Sequence, residues 1–370
     1  MILVIRLTYV LNIFGAGAVP NILLDLIPEL EGYDINIVSL QDIDKENDYM
    51  VKKCHDKGIK LETLKLKRKQ LIKSYFYLKD YFQRNKPDII HSHLGRSDIL
   101  SALCKPDDSK LITTFHNVRK NYNNIIKLMY WFTDNMVNCR LSVSKAVKYS
   151  WYDQWYLNSD NVVIYNPVNS DRIENSGSVD LLKKEFNINP NDKVILTIGR
   201  LIEQKGHIYL IEAMNKICQY KSNVKLIIAG EGKLDQYLED EIKKRSLEDN
   251  IFLVGFRSDI PELLYLTDLF VFPSLWEGLG LAVLEAMLSR VPVIASDIPA
   301  LREYIENGKN GYLVDYNDVD KMAERIIELL EDRQLRTEFA ESGYKLVKEL
   351  FAVDKIAKQY DALYKEVLKK

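Results

Sequence analysis

The sequence predicts an α/β chain of two doubly wound, Rossmann-like domains facing a central cleft, and three observations carry that prediction. Short apolar runs alternate with amphipathic stretches along the whole chain. A length of 370 residues is long for one domain and comfortable for two, each with its own core. Turn residues gather midway, at Asn166-Pro167, Asn169-Ser170 and Ser176-Gly177-Ser178, between two such alternating halves.

Residues 1–6 open the chain as an apolar run ended by Arg6, which reads as a first buried strand. The run is too short for a secretory leader or a membrane span, so a cytoplasmic protein is expected. Runs at 35–40, 61–66, 88–91, 111–115 and 162–165 supply further strands of a first domain. They are short and rich in Ile, Leu and Val, the pattern of strands buried on both faces of a parallel sheet. Runs at 194–198, 224–229, 251–254, 269–272, 291–295 and 311–314 do the same for a second domain. Helical spacing at 208–220, 233–245, 322–330 and 335–350 covers those strands, and alternation of this kind builds a doubly wound sheet. The first domain is read as residues 1–172 and the second as 173–351. No internal repeat or low-complexity tract is visible.

Apolar residues make up 47% and charged residues 28% of the chain, which excludes disordered and collagen-like classes. Cys54, Cys104, Cys139 and Cys218 have neither Cys-x-x-Cys pairing nor nearby His spacing, so ordinary thiols are expected rather than a disulfide framework or a zinc site. The net charge of −2 hides an asymmetry. Residues 1–172 hold 24 Lys and Arg against 19 Asp and Glu, leaving 27 against 34 for the remainder, so the halves carry +5 and −7. No nucleic-acid partner is expected. The basic excess concentrates from Lys57 to Lys73, including Lys65, Lys67, Arg68 and Lys69, and runs into the aromatic stretch Tyr75-Phe76-Tyr77-Leu78. Such a segment can lie on an anionic membrane or meet a phosphorylated lipid carrier. It can equally be a solvated helix face whose aromatics belong to the core.

The most informative segment is Pro273-Ser274-Leu275-Trp276-Glu277-Gly278-Leu279-Gly280-Leu281-Ala282-Val283-Leu284-Glu285-Ala286. An apolar strand ends at Pro273, and helical spacing begins at Leu281, so Gly278 and Gly280 lie where a strand hands over to a helix. Free amides at that helix start favour an anion. Glu277 precedes the helix and Glu285 lies in its second turn, which lets the two carboxylates reach different parts of one ligand with a diphosphate between them.

At these residues the chain resembles the retaining glycosyltransferases of the GT-B fold, family 4, whose mark is a Glu, seven residues and a Glu at this junction. The resemblance extends to Gly199-Arg200 with Lys205, Gly230-Glu231-Gly232-Lys233, Val254-Gly255-Phe256, Asp268 through Ser274, Pro292 through Ser296 and Asn310 through Val314. In the first half it is confined to scattered points such as His91-Ser92-His93, Thr114-Phe115-His116-Asn117, Val143-Ser144 and Asn166-Pro167-Val168. It implies a metal-independent hexosyltransferase that moves a hexose or N-acetylhexosamine from a nucleotide diphosphate sugar, expected to be a UDP-sugar, to a glycan or lipid-linked glycan. Capsule or lipopolysaccharide biosynthesis is the implied setting. No cofactor and no metal are implied.

By the same resemblance Arg200 and Lys205 hold the diphosphate with the amides of Leu281 and Ala282, with Gly278, Leu279 and Gly280 shaping the turn. Glu285 accepts from the ribose hydroxyls, Glu277 faces the transferred sugar, and Val254, Phe256, Gly230, Glu231 and Gly232 border the base. Residues 352–370 are implied to return to the first domain. There, Gly15-Ala16-Gly17 suits close approach of backbone to phosphate, the helix following from Val19. The family's usual second Gly and its Glu are replaced by Ala18 and Pro20, which removes the acidic residue's role on the acceptor. His116 matches the His that touches the transferred sugar. His91 and His93 end another strand and are expected on opposite faces of the sheet, hence not a metal pair, with His93 lining the acceptor side. Asp42-Ile43-Asp44 could be a metal clamp of the other large glycosyltransferase fold, but that fold would not produce the motifs of the second half. A sugar-nucleotide epimerase, a phosphorylase-like enzyme and a non-catalytic sugar-nucleotide scaffold remain the alternatives.

Overall fold

A computed structural model of the chain describes residues 4–15, 17–43, 48–67, 70–152, 157, 159–171 and 179–370. Ala16, Asp44, Arg68, Lys69 and most of the turn-rich segment 166–178 lie outside the described residues or at their edge. The chain divides into two compact units, one of residues 1–167 with Val353–Lys370 and one of Val168–Ala352.

In the first unit, seven described strands form one parallel sheet: β1 (Ile5–Leu11), β2 (Tyr33–Ser39), β3 (Lys60–Thr63), β4 (Ile89–His93), β5 (Lys110–Phe115), β6 (Cys139–Ser142) and β7 (Asn161–Val163). Their order is β3-β2-β1-β4-β5-β6-β7, so the strand order reverses between β1 and β4 while every pair stays parallel. Residues 1–3 of the opening apolar run lie outside the described residues, and the first strand is described from Ile5. Arg6 sits at the strand's start, paired with Asp88 at 2.7 Å, and burial sets in at Leu7. Strand β6 carries no apolar signal because its second residue is Arg140. That guanidinium is fully buried and satisfied by Asp134 (2.9 Å), Thr113 Oγ1 (3.0 Å) and the Tyr130 carbonyl (3.2 Å), which offsets its desolvation.

One apolar layer of this unit joins Leu7, Tyr9 and Leu11 to helix Ala18–Leu26 and to the C-terminal helix Val353–Lys369, through Ile356, Tyr360 and Tyr364. The opposite layer packs Leu78, Tyr81 and Phe82 of helix Leu71–Asn85 on Leu100 and Cys104 of helix Arg96–Cys104. Cys54, Cys104 and Cys139 are buried free thiols and Cys218 is half-buried, as their spacing implied.

In the second unit, β8 (Lys193–Ile198), β9 (Val224–Ala229), β10 (Ile251–Leu253), β11 (Leu269–Phe272), β12 (Val293–Ser296) and β13 (Tyr312–Val314) pair in parallel in the order β10-β9-β8-β11-β12-β13. Its reversal falls between β8 and β11. Helices His207–Cys218 and Val319–Glu331 cover one face, burying Leu210, Ile211, Met214, Ile326 and Leu329. Asp318 and Asp332 cap successive helices by accepting from Lys321 N (3.0 Å) and Leu335 N (2.9 Å).

Candidate functional site

Ligands of open α/β sheets bind beyond the carboxyl ends of the strands where strand order reverses. In the second unit those ends belong to β8, followed by Gly199 to Gly206, and to β11, followed by Pro273 to Gly280. The two loops fasten to each other. Gln204 accepts from Leu275 N and donates its Nε2 to the Trp276 carbonyl, both at 2.8 Å. Gly206 has φ +62°, and a β-carbon there would lie 2.1 Å from the Pro273 carbonyl oxygen, so only glycine permits this approach.

The fastened loops bring Lys205 to Glu277. Lys205 Nζ lies 2.6 Å from Glu277 Oε1 and 4.7 Å from the centroid of the Phe272 ring, and the side chains are 15% and 10% exposed. The lysine stem runs over Gly199, where any β-carbon would sit 3.1 Å from Lys205 Cδ. Arg200, one residue past Gly199, is exposed, and none of the described ion pairs includes it. The site thus presents one cation already neutralised and one open to a ligand.

Helix Leu281–Leu288 begins at Gly280, whose φ of +87° an L side chain would strain. The helical ladder starts with Val283 N to the Gly280 carbonyl at 3.0 Å, so the amides of Leu281 and Ala282 precede it and project past the helix end. Tyr304 fixes this turn from behind, donating to the Leu279 carbonyl at 2.9 Å; full burial holds the phenol protonated. Glu277, Gly278, Leu279 and Gly280 are buried, whereas Leu281, Ala282 and Glu285 are half-buried. The half-buried carboxylate of Glu285 stands in the second turn of that helix.

On the other side of β8, Gly230 to Lys233 follows β9 and folds against the segment after Gly199. Leu201 N donates to the Glu231 carbonyl at 2.9 Å, and Gly232 passes so close to Leu201 that a β-carbon would sit 2.3 Å from its carbonyl oxygen. Gly230 N donates to Gly255 O at 2.8 Å, which ties the ends of β9 and β10. Glu231 Oε1 accepts from Phe256 N at 3.3 Å. The Phe256 ring is exposed and Val254 is half-buried beside it. Arg200, Lys205, Glu277, the glycine turn and these loops after β9 and β10 all stand at the carboxyl edge of one sheet.

In the first unit the same reversal point lies between β1 and β4. Gly15 is buried after β1, and Gly17 precedes helix Ala18–Leu26, one residue earlier than the expected Val19. His93 Nδ1 meets His116 Nε2 at 2.9 Å. The expectation that His91 and His93 face opposite ways is wrong: their rings stack at 4.5 Å with 23° between planes. Residues i and i+2 of a strand share a face because the side-chain period is two. His91 bonds Tyr364 Oη (2.8 Å) and Thr114 Oγ1 (2.7 Å), and Tyr364 Oη meets Tyr9 Oη at 2.8 Å. Burial pushes His91 down to about 3 and His116 to about 4, and holds His93 well below its usual value, so all three rings are neutral at pH 7.

Gln204, Tyr304 and the Tyr9–Tyr364–His91 chain escape sequence reasoning. Gln204 lies inside the Arg-x4-Lys spacer, where only the proximity of Lys205 could have pointed to it. Tyr304 and Tyr364 are far along the chain from the groups they hold, and no periodicity links them. Among the described residues no three His, Cys, Asp or Glu side chains gather as a metal site, and no described helix is long and apolar enough to cross a membrane.

Comparison with known proteins agrees with this geometry. Residues 178–346 match the family described as Glycosyl transferases group 1, and residues 25–172 match Glycosyltransferase Family 4. The chain is 30% identical over 304 residues to an uncharacterised glycosyltransferase of Methanocaldococcus jannaschii, covering 80% of each. It is 27% identical over 314 residues to the UDP-Gal:alpha-D-GlcNAc-diphosphoundecaprenol alpha-1,3-galactosyltransferase of Escherichia coli, covering 81% of each. In fold it is similar to Anabaena Alr3699/HepE, solved with UDP-glucose, at a TM-score of 0.83 and 20% identity over 98% of this chain and 99% of that one. A glycine-capped helix and a Lys–Glu pair at the strand reversal, in a chain so matched along both halves, place it among the family 4 glycosyltransferases of the GT-B fold.

Proposed function

We propose that the chain transfers a hexose or N-acetylhexosamine from a UDP-sugar to a glycan or lipid-linked glycan, with retention of anomeric configuration and without a metal. The observation that carries this reading is the convergence of Arg200, Lys205, Glu277 and the Gly280-capped helix start at the β8–β11 reversal. As the bond between the anomeric carbon and the diphosphate oxygen breaks, negative charge grows on the phosphate and positive charge on the ring. Arg200, Lys205 and the amides of Leu281 and Ala282 stabilise the first; Glu277 faces the second. The pairing of Lys205 with Glu277 keeps the lysine in place for the diphosphate without leaving either charge alone. Glu285 takes the ribose hydroxyls, and Gly230–Gly232, Val254 and Phe256 border the base. The departing phosphate oxygen takes the acceptor's proton on the same face, so no side chain need act as base. In the first unit, by their place at the strand ends, His116 is assigned to the transferred sugar, His93 to the acceptor side, and Gly15 and Gly17 to the donor phosphate.

The UDP-galactose donor and diphosphoundecaprenol acceptor named for the Escherichia coli relative support a uridine donor and a lipid-linked acceptor. Polysaccharide, capsule or lipopolysaccharide assembly at the inner face of the cell membrane is the setting that this reading proposes. Peripheral contact through the basic stretch Lys65 to Lys73 belongs to the same reading. A panel of sugar nucleotides tested for protection against thermal unfolding identifies the donor, because a ligand that binds the folded state raises its stability by mass action. Transfer from an α-linked donor is expected to give an α-linked product, read from the coupling of the new anomeric proton, and to persist in chelator. A β-linked product, or activity restored only by manganese or magnesium, refutes the corresponding part.

A further inference from the structure

The first unit leaves an apolar helix face uncovered. Helix Asn124–Phe132, sequence NIIKLMYWF, buries only Tyr130, while Ile125, Leu128, Trp131 and Phe132 point outward, Ile125 being 73% and Phe132 58% exposed. Their spacing makes one stripe. Helix Leu71–Asn85 repeats the pattern over its first two turns: Ile72 is 77% and Phe76 62% exposed, with Leu71 and Tyr77 beside them. Both helices dock on helix Arg96–Cys104, the first through Tyr130 Oη and Gly95 N (3.0 Å), the second through Cys104 Sγ and the Tyr75 carbonyl (3.4 Å). They therefore belong to one layer of the unit. Soluble surfaces rarely expose so many large apolar side chains together unless something covers them.

The charge around these stripes selects what covers them. Segments 64–79 and 117–132 hold no Asp or Glu, while Lys65, Lys67, Lys73, Lys79, Arg119, Lys120 and Lys127 fall within them. Tryptophan and phenylalanine flanked by lysines suit the boundary between phosphate headgroups and acyl chains. We infer that the first unit rests on an anionic lipid surface through these two helices, with Ile125, Leu128, Trp131 and Phe132 entering the acyl boundary and Lys73, Lys79, Lys120 and Lys127 pairing with lipid phosphates. This deepens the membrane contact proposed above by moving its apolar part to helix Asn124–Phe132, and it rests on that reading only for the acceptor's chemistry.

Sedimentation with vesicles of phosphatidylglycerol and phosphatidylcholine in equal parts tests the inference. Wild type is expected to pellet at low salt and to be partly released at high salt, whereas vesicles of phosphatidylcholine alone retain little. Replacing Trp131 and Phe132 by Ser, or Lys73, Lys79, Lys120 and Lys127 by Glu, should each lower the partition by on the order of 100-fold. Protection by a UDP-sugar against unfolding should be unchanged in both variants, which shows that they fold and separates this test from that of the transferase reading. Should either multiple variant fail to fold, the single variant Trp131→Ser takes its place, with about tenfold loss expected. Failure of wild type to pellet, equal pelleting of the variants, or a protein-only dimer that the Trp131 and Phe132 changes dissociate would each overturn the inference, the last because a second copy would then be the occupant.

Discussion

Lys205→Met should both destabilise the second unit and abolish transfer, and the two losses should separate in a double-mutant cycle. At 2.6 Å the pair with Glu277 has a gross attraction of about 6 kcal/mol at an effective dielectric of 20. Desolvation of both groups offsets most of it, but removing one partner strands the other. A fully buried pair broken in this way costs about 3–5 kcal/mol; the residual exposure of both side chains lowers the expectation to about 2–3 kcal/mol. For a unit of this size that is a fall of about 5–10 °C in midpoint. Glu277→Gln should cost a similar amount, while the Lys205→Met, Glu277→Gln double variant should be less damaged than the sum, with a coupling energy of about 1–2 kcal/mol. Transfer should fall by on the order of 100-fold or more in all three, because the double variant regains stability without regaining the cation at the diphosphate. Thermal unfolding followed by Trp276 fluorescence, together with donor turnover, reads both quantities. A single variant that melts at the wild-type temperature, or a double variant whose loss equals the sum, refutes the paired arrangement.

Arg200→Ala removes an exposed cation, so the melting midpoint should stay within about 1 °C of wild type while turnover falls by on the order of 100-fold; unchanged turnover would remove Arg200 from the site. Gly280→Ala forces a side chain into φ +87° and places its β-carbon 2.8 Å from Leu301 Cδ2, so a loss of about 2–3 kcal/mol is expected in urea unfolding, with weaker nucleotide protection. Stability should also fall with acid. His91, His116 and His207 are held neutral by burial, at about 3, 4 and 4, whereas the unfolded chain protonates its histidines near 6.5. The unfolded state therefore binds more protons below 6.5, and stability present above that pH declines toward 4 by roughly 1.4 kcal/mol per pH unit for each histidine. The shift of the urea midpoint between pH 7 and pH 5 should shrink in His116→Gln, and an equal shift in wild type and variant would refute the assignment.

The sequence by itself determined the alternation of strands and helices, the two-domain organisation and which charged and glycine residues stand at the strand reversal of the second unit. Those signals are local: apolar runs, a glycine turn before a helix, and carboxylates and cations at fixed spacing. What it could not determine depends on residues distant along the chain. Nothing near Gln204 announces that it clasps Leu275 and Trp276, and nothing near Tyr304 shows that it pins the turn at Gly280. Arg140 hid strand β6 because a charge in a buried strand is allowed only where Asp134, Thr113 and Tyr130 meet it, and that meeting is tertiary. Period alone could have placed His91 and His93 on one face, but the surroundings that bury them are tertiary: the C-terminal helix brings Tyr360 and Tyr364 against His91, while Tyr9 and His116 meet His93. Helix Asn124–Phe132 is the converse case. Its composition suits a core helix, and only packing decides that one side meets Tyr122 and Trp151 through Tyr130 while the other is left to solvent. Burial is a property of what the rest of the chain places nearby, and a single segment's sequence does not carry it.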